Sequence, residues 1–344
     1  MNLSNINYFK IIILINLQNT NRILIIRLSS LGDILLTTPV LRSLKKKFPD
    51  LKIDFLLKEQ YADVLKYNPN LNDLYTFNPD NINELINSLK QNRYDLVIDL
   101  QNNFRSQKIT KNIKPVQKVI KFKKLDIEKF LLVKFKINRL RNVPDIPIRY
   151  AQTIDNFELD EKGLEIFIPG NVKSQLTSDE KFIGLAPGSR HFTKMWPKEY
   201  YIYLAKILSA NNFKVVLLGG KDDRQICGEI SKMVPASINL CTEDDILQTV
   251  ADMKKCFVIV SNDSGLMHAA CAAGTPVLAF FGSTVKEFGF MPYKSKNLIL
   301  ENDSLSCRPC THIGRSQCPK KHFKCMMELT PQTAFNKINI LLNT

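Results

Sequence analysis

The sequence of 344 residues lacks any apolar run long enough to cross a bilayer. Its longest apolar stretch near the start, Ile11–Leu17, is much shorter than the ~20 residues that a transmembrane helix needs. Residues 1–20 also lack the small-residue cleavage site that is typical of a signal peptide. These absences argue against a membrane-spanning or exported protein. We therefore expect a cytoplasmic chain in which residues 1–20 form an extension before the first strand.

Acidic residues are scarce relative to basic ones. There are 48 Lys and Arg against 33 Asp and Glu, so the formal net charge is +15. Such an excess does not bear on the fold, but it favours an anionic partner such as a phosphorylated substrate, anionic lipid or nucleic acid. The many Lys, Ile and Asn residues are equally consistent with an AT-rich genome. No nucleic-acid-binding motif accompanies the charge, so we expect no nucleic-acid partner.

A low-complexity linker is also absent, although the length predicts two domains. Apolar strands alternate with helical patterns in both halves, which is typical of doubly wound parallel sheets. The predicted elements of the first half are the strands Ile23–Ile26, Ile53–Leu57 and Tyr94–Leu100 and a helix over Ile34–Phe48. Those of the second half are the strands Phe182–Leu185, Val215–Leu218, Phe257–Val260 and Val277–Phe281 and the helices Lys198–Ala210 and Leu266–Ala273. We expect domains over residues 21–160 and 161–330, then a C-terminal helix over 331–344.

The segment Lys108–Arg141 concentrates the positive charge. It contains twelve Lys or Arg residues against two acids, and Phe122, Phe130 and Phe135 are interleaved with them. A solvated helical face explains this pattern as well as a functional surface does. The functional interpretation is a patch that contacts anionic lipid headgroups or a phosphorylated acceptor.

The motif Ser29–Asp33 (S-S-L-G-D) lies where the first predicted strand meets a helix. Ligands of open α/β sheets bind outside the carboxyl ends of the strands, so this junction is a candidate site. Gly32 permits a tight turn or the close approach of a ligand. Asp33 has two interpretations, a helix cap and a general base that faces a cleft.

A second motif, Ser261–Ala270 (S-N-D-S-G-L-M-H-A-A), follows an apolar strand and enters a helix of small residues. The free N–H groups and the dipole of a helix start favour an anion, and a diphosphate fits there. The structural alternatives are that Asp263 caps the helix and that His268 is simply buried.

Two further strand ends carry polar residues. The first has Pro187–Arg190 and then Lys194–Pro197, in which Gly188 and Ser189 offer donors to a phosphate and Lys194 adds a positive charge. Trp196, the only tryptophan, is equally explained by packing. The second has Gly219–Asp223, and an acid after such a strand can bind ribose hydroxyls, as in dinucleotide-binding folds.

Four of the eight cysteines lie close together in the sequence as C-x2-C-x7-C-x6-C: Cys307, Cys310, Cys318 and Cys325. The first pair has the spacing of metal ligands, so structural zinc is one interpretation. Packed thiols and disulfide chemistry are the others. We identify no base beside these cysteines, so a catalytic cysteine is not expected.

These motifs together resemble glycosyltransferase family 9, the ADP-heptose:lipopolysaccharide heptosyltransferases. The resemblance extends from Ile23 to the C-terminus. It is most specific at Arg27–Pro39 (R-L-S-S-L-G-D-I-L-L-T-T-P), Asp95–Ser106 (D-L-V-I-D-L-Q-N-N-F-R-S), Lys194–Pro197 and Asn262–Pro276. It implies the GT-B fold, in which two Rossmann-like domains face each other across a cleft. The N-terminal domain would take the acceptor and the C-terminal domain the ADP-sugar.

The resemblance also implies roles for individual residues. Asp33 matches the catalytic base and Lys194 the lysine that contacts the nucleotide phosphates. The implied donor or diphosphate residues are Ser189, Lys194, Asp222 (or its neighbour Asp223), Asp263, Ser264, Gly265, Leu266 and His268. The implied acceptor-side residues are Ser30, Gly32 and Arg105. The implied reaction is an inverting single displacement, in which Asp33 deprotonates an acceptor hydroxyl and Lys194 with the Ser264–Leu266 amides stabilises the leaving diphosphate.

We therefore expect a glycosyltransferase that uses ADP-heptose and a lipid-linked, phosphorylated core oligosaccharide, at the inner face of the cytoplasmic membrane. The chemistry requires no cofactor, while Mg²⁺ dependence and structural zinc stay open. Another nucleotide sugar is the enzymatic alternative. A non-catalytic module that binds a glycan or another anion is the alternative from a different class, but it leaves Asp33, Lys194 and the Asp263–Gly265 loop unexplained.

Overall fold

The computed structural model describes residues 17–154, 157–241 and 245–343. Within them, the first half of the chain forms a parallel sheet in the order β3-β2-β1-β4-β5. Its strands are β1 (Arg22–Ile26), β2 (Lys52–Lys58), β3 (Asp73–Phe77), β4 (Leu96–Asp99) and β5 (Lys118–Lys121). Its helices are α1 (Leu31–Leu35), α2 (Thr38–Lys47), α3 (Ile82–Gln91), α4 (Phe104–Ile113), α5 (Asp126–Phe135) and α6 (Ile146–Gln152).

The second half forms a separate parallel sheet, in the order β11-β10-β9-β6-β7-β8 over the described residues. Its strands are β6 (Phe182–Ala186), β7 (Lys214–Leu217), β8 (Ile238–Asn239), β9 (Val258–Asn262), β10 (Val277–Phe281) and β11 (Asn297–Glu301). Its helices are α7 (Lys198–Ala210), α8 (Arg224–Met233), α9 (Ile246–Met253), α10 (Gly265–Ala273), α11 (Lys324–Met327) and α12 (Pro331–Asn343). Two doubly wound parallel sheets confirm the predicted fold class.

Continuous apolar runs explain the position of the central strands. All four residues of β4 and all five of β6, β9 and β10 are buried, as expected of parallel strands covered by helices on both faces. The less apolar strands β3, β5, β8 and β11 lie outside them in the two sheets. Sequence patterning did not predict these four strands, because their alternation is short and mixed with charged residues.

The predicted helix over Ile34–Phe48 is wrong in its bounds. The chain forms α1 from Leu31 and then a separate helix from Thr38 that has Pro39 in its first turn. Proline suits the first turn of a helix, because the amide it lacks has no partner there in any case. Gly32 and Asp33 therefore lie inside the first turn of α1 and not in a loop before it.

The segment between the two sheets is held by ion pairs to the first half. Arg42 contacts Asp160 at 2.7 Å and Glu165 at 2.6 Å. Lys294, after β10, donates to the Asp160 carbonyl at 3.0 Å. The largest apolar core is continuous across this segment and contains buried residues of both sheets. The two halves are therefore packed on each other and not joined only by a linker.

Among the described residues, no helix has both the length and the apolar character that crossing a membrane requires. Most of the predicted extension over residues 1–20 lies outside the described residues.

Candidate active site

The first half of the site lies where the order of the N-terminal sheet reverses, between β1 and β4. The chain leaves β1 and enters α1, with Ser30 at its N-cap and Asp33 in its first turn. Asp33 Oδ2 accepts hydrogen bonds from the Ser30 amide at 3.0 Å and the Ser30 hydroxyl at 2.7 Å. The carboxylate thus closes a capping box, as the structural interpretation of this aspartate predicts.

The other oxygen of Asp33 binds Arg27. The guanidinium Nη2 lies 2.5 Å from Asp33 Oδ1, and Nη1 donates to the Leu100 carbonyl at 2.7 Å. The Arg27 guanidinium also lies over the Tyr150 ring, 5.7 Å from its centroid. Arg27 was not predicted as a site residue, although it opens the motif that carries the resemblance. The ion pair and the capping hydrogen bonds together hold the carboxylate in one orientation.

The second half of the site lies at the corresponding reversal, between β6 and β9. Asn262 joins the two strand ends there. Its Nδ2 donates to the Pro187 carbonyl at 2.8 Å, and its Oδ1 accepts from the Trp196 amide at 2.9 Å. Asn262 is fully buried, so its role is to hold together the loops that carry the polar groups of the site. Trp196 is also fully buried, which agrees with the packing interpretation.

Lys194 and Asp263 meet at this edge. The Lys194 ammonium lies 2.7 Å from Asp263 Oδ2, and the Thr284 hydroxyl donates to the same oxygen at 2.6 Å. Both charged side chains are mostly buried. Asp263 therefore fixes the lysine in place while the other two N–H groups of the ammonium remain available as donors. Thr284 was not predicted and has no recognisable sequence signal.

Arg308 holds the loop that contains Thr284. Its Nη2 donates to the Thr284 carbonyl at 2.9 Å, and its Nε donates to the Gly282 carbonyl at 2.7 Å. Glu301 neutralises the guanidinium at 2.7 Å. The cysteine-rich segment thus supports the polar edge of the site through this arginine, a role that its cysteine spacing did not suggest.

Helix α10 begins at this point with Ser264 as its N-cap and Gly265 and Leu266 in its first turn. First-turn amides have no partner within the helix, so their N–H groups face outward beside Lys194 and Asp263. His268 follows on the same helix and is buried. The predicted diphosphate residues are thus brought together at one helix start.

Ser189, Asp222 and Asp223 line a neighbouring cavity of about 590 Å³, within the usual volume range of ligand pockets. The two acids differ in surroundings. Asp223 Oδ2 accepts from the Gly220 amide at 3.1 Å, and its carboxylate packs against Gly188. Asp222 is exposed at the cavity, so it is the better placed of the two to meet a ribose hydroxyl.

Arg105 lies in the first turn of α4. It lines a separate cavity of about 530 Å³ together with Lys58, Glu59, Gln60 and residues 77–79. This cavity borders the ends of β2 and β3, so it belongs to the same edge of the N-terminal sheet as Asp33. Lys58 was not predicted as a site residue.

Two buried cations were missed as individual site residues. Lys129 on α5 has a side chain that is only 13% exposed, and its carboxylate partner Asp126 is 4.0 Å away. Arg149 on α6 donates to the Lys123 carbonyl at 3.0 Å and lies over the Phe122 ring. Burial and the charge of Arg149 lower the pKa of Lys129, and Asp33 opposes that effect from the same region. Burial also lowers the pKa of Arg149.

The predicted basic segment is not one helical face, since it contains the end of α4, β5 and α5. On α5, Ile127, Phe130 and Phe135 are more than half exposed. The opposite face of α5 packs through Leu132 against Phe288 of the C-terminal half. An apolar face surrounded by lysines is thus displayed next to the junction of the two domains.

The four clustered cysteines are free thiols, as are the other four. In the part of the chain that the structure describes, no three or more His, Cys, Asp or Glu side chains are arranged to hold a metal ion. Cys307 Sγ lies 4.0 Å from His322 Nε2. The described side chains therefore give no support to the zinc interpretation, and of the four thiols only Cys325 is buried.

Two doubly wound domains that bring their polar strand ends to one cleft have the GT-B architecture. Comparison with known proteins narrows the class. The profile of glycosyltransferase family 9 (heptosyltransferase) matches residues 82–322. The chain belongs to this family, and it is a glycosyltransferase.

The relatives agree with that assignment over almost the whole chain. Lipooligosaccharide heptosyltransferase 2 of Campylobacter jejuni is 24% identical and is matched over 91% of this chain and 95% of its own. A family 9 glycosyltransferase structure from Veillonella parvula superposes with a TM-score of 0.75 at 22% identity, covering 94% of this chain and 97% of that one. The Escherichia coli ADP-heptose lipopolysaccharide heptosyltransferase II structure gives 0.72 at 24% identity, covering 93% and 98%.

Proposed function

We propose that this protein transfers heptose from ADP-heptose to an inner-core acceptor of lipopolysaccharide by an inverting single displacement. The observation that carries this proposal is the meeting of two motifs from opposite domains. The start of α1, which carries Asp33, packs against the start of α10, which directly follows the Asp263 partner of Lys194. The names of the relatives supply ADP-heptose and the lipopolysaccharide acceptor, which the residues by themselves do not specify.

In the proposed reaction, Asp33 accepts the proton of an acceptor hydroxyl while that oxygen attacks the anomeric carbon of the donor. Arg27 and Ser30 hold the carboxylate for this step, one at each oxygen. The bond from the anomeric carbon to the diphosphate breaks on the opposite face, so the configuration inverts. Negative charge then grows on the departing diphosphate oxygen.

The donor half of the site stabilises that charge. We propose that Lys194 binds the diphosphate directly while Asp263 fixes its position. The amides of Gly265 and Leu266 supply N–H donors, and the dipole of α10 adds to their effect. Ser189 and Asp222 contact the nucleoside at the neighbouring cavity. The chemistry needs no metal, and any Mg²⁺ dependence would act through the diphosphate.

The acceptor half is positively charged, which fits a phosphorylated core sugar. Lys129 and Arg149 are largely buried cations whose nearest ion-pair contact is an exposed Asp126 at 4.0 Å from Lys129, so an acceptor phosphate would compensate their charge more directly. Arg105 and Lys58 at the second cavity extend the same charge. We propose an acceptor domain over residues 21–160 and a donor domain over residues 161–330, followed by a C-terminal helix over residues 331–344.

We further propose that the exposed apolar face of α5 and its surrounding lysines rest on the anionic inner surface of the cytoplasmic membrane. The test is sedimentation with phosphatidylglycerol vesicles at physiological salt. Replacing both Phe130 and Phe135 by serine should weaken binding about tenfold. Tyr203→Ser, at an exposed aromatic on α7, is the control and should bind like the wild type. Equal binding by all three proteins would contradict the α5 assignment.

The donor assignment is tested by calorimetric titration with ADP, GDP and UDP, with and without Mg²⁺. We expect selective ADP binding that weakens at least tenfold in Lys194→Ala. A preference for UDP or GDP would support the alternative of another nucleotide sugar. The absence of nucleotide binding by folded protein would favour the non-catalytic module.

The base assignment is tested with Asp33→Asn, which keeps the shape of the side chain and removes the basic oxygen. Removal of a general base typically costs about 100-fold to 10,000-fold in turnover. We expect such a loss in kcat with ADP affinity nearly unchanged. Near-normal turnover by this variant would show that Asp33 is not the base.

A further inference from the structure

The first turns of α1 and α10 pack directly against each other across the cleft. They come from opposite domains, and they carry the proposed base and the proposed diphosphate amides. The contact is reciprocal, because each turn presents a glycine to a side chain of the other turn. Gly32 lies under the imidazole of His268, and Gly265 lies under the side chain of Leu31.

Neither glycine has room for a side chain. A Cβ at Gly32 would lie 2.6 Å from His268 Cδ2, and one at Gly265 would lie 2.9 Å from Leu31 Cδ2 and 3.0 Å from Leu31 Cβ. Ordinary contacts between carbon atoms are about 3.5–4.0 Å. Neither residue is among those with positive φ. These positions therefore need glycine because the two domains approach closely, and not because the backbone is unusual.

The contact at Gly32 is buried. His268 is 3% exposed, and its Nδ1 has no hydrogen-bond partner among the described residues. Burial lowers the pKa of His268 to about 4, so the ring is neutral near neutral pH. The neutral ring packs closely on Gly32. A methyl group added at Gly32 would therefore push the starts of α1 and α10 apart.

We propose that Gly32 and Gly265 are positioning residues, which set the separation between the base on α1 and the diphosphate site on α10 by letting the two helix starts touch. This inference rests on the proposed function. The missing space amounts to about 1 Å at Gly32, the difference between 2.6 Å and an ordinary contact. A misplacement of that size can reduce turnover by about 100-fold.

The first test compares Gly32→Ala with Gly228→Ala. Gly228 is also helical, on α8, and a Cβ there would meet nothing within 4 Å. We expect kcat to fall about 10-fold to 100-fold in Gly32→Ala and to stay at the wild-type level in Gly228→Ala. The affinity for ADP should change less than about threefold in both, since Lys194 and all residues of α10 are retained and moving α1 away from α10 leaves the donor half of the site complete. Wild-type kcat in Gly32→Ala, or loss of ADP binding along with turnover, would overturn the inference.

The second test uses the reciprocal pair. Gly265→Ala should lose turnover because its methyl group meets Leu31. Leu31→Gly should restore much of that loss in the double variant, since it removes Cβ, Cγ and Cδ2, the three atoms nearest to the added methyl group. If Leu31→Gly gives no recovery, Gly265 acts through some other contact and the proposed reciprocal packing is wrong.

Amide hydrogen exchange separates this inference from the proposed function, since it needs no turnover. If the helix starts are pushed apart, exchange should accelerate at Leu31–Leu35 and at the start of α10 in Gly32→Ala, but not in Gly228→Ala. Unchanged exchange would overturn the inference whatever the enzyme does. If the two variants differ in exchange as expected but the wild-type protein transfers no sugar, only the proposed function is contradicted.

Discussion

His268 should make the stability of the C-terminal domain depend on pH. Its pKa is lowered by burial to about 4 in the folded protein, against roughly 6.5 for an unperturbed histidine. Between these values the unfolded chain binds a proton that the folded protein does not. The free energy of unfolding therefore falls as the pH falls through this window.

The magnitude follows from the two pKa values. At pH 7.5 neither state binds the proton, so His268 contributes almost nothing to the pH dependence. At pH 5.0 the unfolded histidine is protonated and the folded one is not. With about 1.36 kcal/mol for each pH unit below 6.5, the loss between pH 7.5 and 5.0 is about 2 kcal/mol. It would approach roughly 3 kcal/mol near pH 4.

Urea unfolding followed by tryptophan fluorescence measures this effect. Trp196 is the only tryptophan, is fully buried, and stacks on Phe280 at 4.2 Å in the same domain as His268. We expect the wild type to lose about 2 kcal/mol more than His268→Gln between pH 7.5 and 5.0. Carboxylates titrate alike in both proteins, so their contribution cancels in the difference. Parallel losses in the two proteins would refute the buried, neutral histidine.

Three further predictions concern other regions. In the native protein only Cys307, Cys310 and Cys318 should react promptly with a thiol reagent, because the remaining five thiols are buried; prompt reaction of more than three would contradict this. Arg42→Met should lower stability by roughly 2–3 kcal/mol in thermal unfolding, because it leaves two carboxylates without their partner; an unchanged Tm would refute that role. Lys129→Ala should raise the acceptor KM about tenfold without changing ADP affinity, and an unchanged KM would remove it from the acceptor site.

The resemblance to family 9 could be read from short motifs because the residues that carry it are local. Two motifs, around Asp33 and around Asp263, have the same local composition. Each contains the end of a strand, a glycine and a residue that can cap a helix or bind an anion, all within a few positions. Apolar runs such as Val277–Phe281 likewise predict buried parallel strands from local composition. The edge strands and the break before Thr38 were missed, because their local patterns are weak and tertiary packing decides them.

Pairing at the site could not be predicted in the same way. Lys194 meets Asp263 because β6 and β9 are neighbours in the C-terminal sheet, and His268 meets Gly32 because the two domains pack on each other. The second of these contacts joins residues from opposite domains. No local pattern encodes such a distance, since it results from the summed packing of many side chains. The sequence by itself thus determined the fold class, the family and the identity of the candidate groups. Only the tertiary structure decided which of those groups touch, because contact between distant residues is set by packing and not by spacing along the chain.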